Sequence, residues 1–249
     1  MQNNINFTLG LLMGDGSFQI NHWKKKYLQY RVVIKLKNTP SNLKMLQDLR
    51  EQFKCGTIVA NEKDVLWAIN HKKQIEPFLK IMVKSPLINL KNSTNVKILK
   101  MLYGIKNNIS YSEHSFMENK VLDEEVTNWN WPFETPTILT TIPDFSEDYK
   151  WWLSGFVEAE GCFCIRKNGN QSFSVSQKTD KLMIESVKAY FKIPNKILQK
   201  KDGTFVLETY NSKNCFSIIE FFESYPLKGE KNESFEYFRA HMKLKYNKK

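Results

Sequence analysis

The sequence predicts an α+β fold made of two similar halves, each an antiparallel sheet backed by helices. Three observations carry this. A short motif occurs twice, as Thr8-Leu9-Gly10-Leu11-Leu12-Met13-Gly14-Asp15-Gly16 and as Leu153-Ser154-Gly155-Phe156-Val157-Glu158-Ala159-Glu160-Gly161. A wider repeat surrounds it: Ser85-Pro86-Leu87 returns as Tyr225-Pro226-Leu227 and Lys91-Asn92 as Lys231-Asn232, both displaced by 140 residues. The stretches between show the two-residue alternation of half-buried strands. Repetition over so long a period signals duplicated domains, not a solenoid.

Each motif reads as an apolar, Pro-free helix. Gly10 and Gly14 are four apart, as are Gly155 and Ala159, so each pair shares one face. Small residues at that spacing let two helix backbones approach closely. Gly16 and Gly161 are expected to end the helices in the left-handed conformation. Asp15 and Glu160 then fall at two carboxy ends, where the helix dipole is already negative. Brought together at a seam between the halves, they would repel unless a cation bridged them, which makes them a candidate site for divalent metal.

Strands follow each motif. Ser17, Gln19 and Asn21 alternate with Phe18 and Ile20. Leu28, Tyr30, Val32, Ile34 and Leu36 alternate with Gln29, Arg31, Val33, Lys35 and Lys37, so the sheet has one polar, basic face. Lys24, Lys25 and Lys26 lie at the turn between these strands. In the second half Phe163 and Ile165 alternate with Cys162, Cys164 and Arg166, and Lys167-Asn168-Gly169-Asn170 is a turn leading to a strand over Phe173–Gln177. Asn42–Phe53 and Lys181–Phe191 read as amphipathic helices behind the sheets. Closing helices complete each half. Trp67-Ala68-Ile69 aligns with Leu207-Glu208-Thr209 at the same 140-residue offset. The tryptophans are expected in the core and in linker contacts.

Charge divides the chain in the same way. Residues 1–107 carry a net charge of +12, residues 108–148 a net of −8 and residues 149–249 a net of +7. The expected organisation is therefore a first half over 1–107, an acidic linker over 108–148 and a second half over 149–249. Two basic blocks favour a polyanionic partner. No apolar run reaches the length of a membrane span, and the opening MQNNINFTLG resembles neither a signal nor a transit peptide. Cys55, Cys162, Cys164 and Cys215 form no C-x-x-C pair and the four histidines are scattered, which argues against structural zinc and for reduced thiols. Heavy use of Asn, Lys and Ile points to an A/T-rich genome, such as an organelle's.

The paired motifs and the repeated Pro-Leu…Lys segments resemble the LAGLIDADG homing endonucleases in their single-chain, two-motif form. The second motif is the closer match; in the first, Met13 stands where an acidic residue is common, while Asp15 and Gly16 are in place. The resemblance implies two pseudo-symmetric αββαββα halves, packed through the motif helices, each presenting a curved antiparallel sheet to the DNA major groove. It implies metal-dependent cleavage of both strands of a long, nearly palindromic site, with short 3′ overhangs, as in group I intron homing.

By the same resemblance Asp15 and Glu160 hold divalent ions, with the backbone carbonyls of Gly14 and Ala159 as further ligands. Two or more Mg²⁺ are expected, with Mn²⁺ substituting and Ca²⁺ binding without cleavage. Lys91 and Lys231 match the family's basic residue near the site, where transition-state stabilisation and plain phosphate anchoring are both open. Gln177 fits a position that orders water beside the metals, and its first-half counterpart is either Lys35 or Leu36. Glu158, opposite Met13, is expected to cap or to hold an interface. The DNA-facing set is Ser17, Gln19, Asn21, Lys24, Lys25, Lys26, Gln29, Arg31, Lys35 and Lys37 in the first half, and Arg166, Lys167, Ser174, Ser176 and Lys178 in the second. The expected partner is double-stranded DNA bound by a monomer, without membrane, in the encoding organelle: the mitochondrion, with the plastid as alternative. Two other functions fit the scaffold, an RNA maturase acting on a group I intron and a non-catalytic DNA-binding protein. Retention of both acids favours cleavage, because an unused buried pair would be costly.

Overall fold

The computed structural model describes residues 2–24, 26–83, 93–112, 144–178 and 180–246. Residues 113–143 of the expected linker, together with Lys25 and Lys91, lie outside these residues. The order is α1 (Gln2–Asp15), β1 (Gly16–Trp23), β2 (Tyr27–Lys37), α2 (Pro40–Phe53), β3 (Thr57–Ala60), β4 (Asp64–Ile69), α3 (Lys72–Val83) and α4 (Ser93–Lys106). It continues with α5 (Glu147–Glu160), β5 (Gly161–Ile165), β6 (Gln171–Gln177), α6 (Lys181–Tyr190), β7 (Leu198–Gln199), β8 (Phe205–Thr209), α7 (Ser212–Ser224) and α8 (Glu230–Tyr246). The two sheets share one antiparallel topology, β1-β2-β4-β3 and β5-β6-β8-β7. This is the predicted α+β duplication.

By compactness the chain forms two units. One comprises 16–38 and 46–140; the other comprises 1–15, 39–45 and 141–249. In the first, Phe18, Tyr30, Val32 and Ile34 form the buried face of the sheet. Gly104 of α4 lies against Tyr30, and a Cβ at Gly104 would be 3.2 Å from the tyrosine ring. Trp67 fills the core between Phe53 and Phe78 and donates its indole N–H to the Cys55 carbonyl at 3.0 Å. On the opposite face Ser17, Gln19, Asn21, Gln29 and Arg31 are half-buried, and Lys35 and Lys37 are exposed. Trp23 departs from expectation: it is 54% exposed at the hairpin end, paired with exposed Tyr27 across the strands.

The other unit has a phenylalanine-rich core. Phe163 meets Phe173, Phe222, Phe235 and Phe238 at ring-centroid distances of 5.3–5.6 Å, all tilted or edge-on. Those are the geometries that aromatic quadrupoles favour. Strand β6 begins at Gln171, two residues earlier than the alternation predicts. Gln171 is held there by donating to the Tyr210 carbonyl at 2.8 Å. Helix α5 is capped by Ser146, which accepts the Tyr149 N–H at 3.4 Å, with Glu147 and Asp148 in its first turn. Acidic residues at that end suit the helix dipole.

Helices α1 and α5 pack side by side in this unit and run in the same direction. Phe7 lies against Gly155, Gly10 against Trp152 and Phe156, and Gly14 against Ala159 and Glu160. The predicted small-residue faces are the ones in contact. Helix termination differs from expectation. Gly161 is extended, at φ −78° and ψ 156°, and Gly16 opens β1 directly. Neither is left-handed. The chain turns from helix to strand without a loop, and Gly161 is required by space: a Cβ there would lie 2.6 Å from the Val157 carbonyl oxygen.

Candidate active site

The parallel packing of α1 and α5 brings their carboxy ends together, so Asp15 and Glu160 share one spot. Asp15 is exposed at its tip and Glu160 is half-buried. The helix ends packed around both still remove much of their hydration. Burial pushes Asp15 up to about 6, with Lys231 pulling it down and Glu158 adding to the rise. Burial pushes Glu160 up to about 7, the Asp15 charge raises it further, and Lys231 opposes. Both carboxyls thus stay above the ordinary carboxylate range in spite of the Lys231 charge.

The donors suit a hard divalent ion. Gly14 and Ala159 fall in the last turns of their helices, where carbonyls lack intrahelical partners. Among the described residues no group of three or more His, Cys, Asp or Glu could hold a metal. Two carboxylates beside helix-end carbonyls offer only oxygen donors, the type that hard divalent cations take.

Gln177 lies against the end of α1. Its amide N–H donates to the Met13 carbonyl at 3.2 Å, and its oxygen accepts the Lys178 N–H at 2.6 Å. Strand register identifies its counterpart. Gly16 pairs with Ile34 and Leu36 with Val65; Gly161 pairs with Val175 and Gln177 with Phe205. The equivalent of Gln177 is therefore Leu36, not Lys35, and the two halves differ there in chemistry.

Glu158 is almost fully buried, and burial pushes its carboxyl up despite the backbone N–H groups of Gly229, Lys228 and Lys231 that favour its charge. It holds the entry to α8, as expected of a cap. Its counterpart Met13 instead accepts the Trp152 indole N–H through sulfur at 3.1 Å.

The remaining predicted residues lie on the outer faces of the sheets or in the turns and strand ends beside them. Arg31 donates to the Asn70 side chain at 2.8 Å, and Lys35 pairs with Asp64 at 2.8 Å. Arg166 donates to Glu208 at 3.2 Å and to the Tyr210 hydroxyl at 2.7 Å, with its guanidinium 4.5 Å from the Tyr210 ring. Lys24 occupies the turn with φ +53°, and Lys167 is exposed in the β5–β6 turn. Ser174 and Ser176 are half-buried and Lys178 exposed. Sequence reasoning missed Tyr210, which braces Arg166, and Asn42, which accepts the Glu230 N–H at 2.9 Å. Neither position carries a periodic signal, since both act across large sequence separations.

The sequence pattern of the family described as LAGLIDADG endonuclease matches residues 8–102 and 153–242. The "Probable intron-encoded endonuclease aI3" of Dictyostelium citrinum is 38% identical over 239 residues, covering 94% of this chain and 93% of that protein. The protein of the same name from Debaryomyces hansenii is 33% identical, covering 92% of this chain but 36% of its own length. Among solved structures, the LAGLIDADG meganuclease I-AabMI bound to uncleaved DNA has a TM-score of 0.70 at 20% identity, covering 98% of this chain and 92% of that one. I-SmaMI bound to an uncleaved DNA target in the presence of calcium ions has a TM-score of 0.67 at 18% identity, with coverage of 98% and 92%. These last two likenesses show a common fold.

Proposed function

The chain belongs to the LAGLIDADG endonuclease family, and we propose that it makes a metal-dependent double-strand break in a long, nearly palindromic DNA site, in the service of intron homing. The observation that carries this reading is the meeting of Asp15 and Glu160 at two parallel helix ends, both held above the usual carboxylate range beside Lys231. Under this reading residues 1–107 and 149–249 are the two halves, joined by 108–148.

Asp15 and Glu160, with the Gly14 and Ala159 carbonyls, would hold Mg²⁺. When bound, the ions polarise the scissile phosphates, lower the pKa of water and stabilise the leaving oxygens. The protein's residues do the rest. Lys231, with Lys91 as its repeat counterpart, offsets negative charge that grows in the transition state. Gln177 fixes the end of α1 and with it Asp15. The basic faces position the duplex: Lys24, Lys26, Lys35, Lys37, Lys167 and Lys178 meet phosphates, while Gln19, Asn21, Gln29, Arg31, Arg166, Ser174 and Ser176 stand where a two-stranded ribbon reads base edges in the major groove. We place its action in the organelle that encodes it, most simply the mitochondrion.

The test is a cleavage assay with Mg²⁺, Mn²⁺ or Ca²⁺ on the intronless copy of the coding locus. Cutting with the first two and binding alone with Ca²⁺ is expected. Failure to cut with any divalent ion, combined with stimulation of intron splicing, would replace this reading with the maturase one.

A further inference from the structure

Glu158 and Glu160 are two apart on α5, so their side chains leave the helix on different sides. Glu160 joins Asp15. Glu158 crosses to the start of α8, where its Oε2 accepts the Lys228 N–H at 2.9 Å and the Gly229 N–H at 3.0 Å, and its Oε1 accepts the Lys231 N–H at 3.1 Å. The intervening Glu230 N–H is accepted by Asn42 Oδ1 at 2.9 Å. Four consecutive amides are thus satisfied by two side chains remote in sequence. One turn before Glu158 on the same face, Ser154 donates to the Pro226 carbonyl at 3.2 Å, so α5 grips the segment 226–231 at both ends.

The fit is close. A Cβ at Gly229 would lie 2.5 Å from Asn42 Oδ1 and 2.7 Å from Glu158 Oε1. A carboxylate suits the place because charge-assisted hydrogen bonds from several N–H groups are stronger than neutral ones, and because helix N-termini attract negative charge. Lys231 is the second residue of α8. Its backbone is held by Glu158, and its ammonium charge bears on Asp15 and Glu160.

We propose that Glu158 is a positioning residue for DNA cleavage: by holding the amides of Lys228, Gly229 and Lys231 it fixes Lys231 against the Asp15–Glu160 pair. This rests on the reading of Lys231 as the cation that assists the reaction. The first motif has Met13 at the matching position, so this device belongs to the second motif alone.

The test is a double-mutant cycle on the full chain, read by single-turnover cleavage, DNA affinity and amide hydrogen exchange. Glu158→Gln keeps the volume but presents an NH₂ group where N–H groups must be accepted. It should cut about 10-fold or more slowly, with DNA affinity within about 2-fold, and the same substitution in a Lys231→Met background should cost less than about 2-fold. Exchange at amides 228, 229 and 231 should quicken. Asn42→Ala, which loosens the same turn without touching α5, should slow cleavage in the same Lys231-dependent way and serves if Glu158→Gln folds poorly. Equal losses with and without Lys231 would overturn the proposal while leaving the Lys231 reading intact. Lys231→Met cutting at the wild-type rate would refute that reading, and the proposal with it.

Discussion

Gly10 and Trp152 meet backbone to backbone: a Cβ on Gly10 would strike the Trp152 carbonyl and lie 2.7 Å from the Phe156 nitrogen. The reciprocal contact is Gly155 on Phe7, where a Cβ would lie 2.7 Å from the Phe7 carbonyl carbon. The obstacle in each case is main chain, which cannot move aside as a flexible side chain can. Gly10→Val or Gly155→Val should therefore force the helices apart and destabilise the protein by roughly 1–3 kcal/mol or more. Denaturant unfolding measures this. Wild-type midpoints in both variants would show that the helices do not pack as described.

Asp15→Asn and Glu160→Gln should each abolish double-strand cleavage and leave DNA affinity nearly unchanged, since the proposed phosphate and base contacts lie on the sheets. Residual nicking of one strand is compatible with one surviving ion. Double-strand cutting at the wild-type rate in either variant would remove Asp15 and Glu160 from the chemistry.

The same acids set a pH dependence whose sign follows from their raised pKa values. In the unfolded chain they ionise near ordinary carboxylate values; in the folded protein they ionise near 6 and 7. Their contribution to stability is thus fully present below about pH 4 and is lost as pH rises through 6 and 7. In chelator at pH 8, Asp15→Asn or Glu160→Gln should melt at a higher temperature than the wild type, and the difference should vanish near pH 4. Added Mg²⁺ should raise the wild-type melting temperature more at pH 8 than at pH 5.5, since it competes with protons for the same oxygens. A melting difference independent of pH would contradict this account.

The basic faces make a separate prediction. Arg31 is held by Asn70, and Arg166 by Glu208 and Tyr210, so both guanidinium groups are pre-oriented. If either reads a base, its replacement by Ala should weaken specific binding by about 1–3 kcal/mol and relax specificity at one position. Lys35→Ala or Lys178→Ala should instead weaken binding to all sequences and lower its salt dependence. DNA should protect these side chains from chemical modification; protection of none would mean that the other faces of the sheets meet DNA.

The two carboxylates of the site come from one chain. A monomer of 29.4 kDa binding one duplex over roughly two helical turns is therefore expected. Sedimentation of the free protein and its DNA complex would reveal an obligate dimer if this is wrong.

Residue order alone makes legible what repeats. The motif helices, the strand alternation, the small-residue faces and the acid pair all carry local periodicities, 3.6 or 2 residues, and each was legible without coordinates. The tertiary structure decided what depends on register and on distant partners. The counterpart of Gln177 became Leu36 only once the strands were paired, because a one-residue shift exchanges the faces of a strand. The extended Gly161 reflects a helix running straight into a strand, where crowding by the Val157 carbonyl, not backbone handedness, demands glycine. Above all, Glu158 meets the amides of Lys228, Gly229 and Lys231 some seventy residues away, a pairing that no local pattern encodes because the two segments are neighbours only in the folded chain.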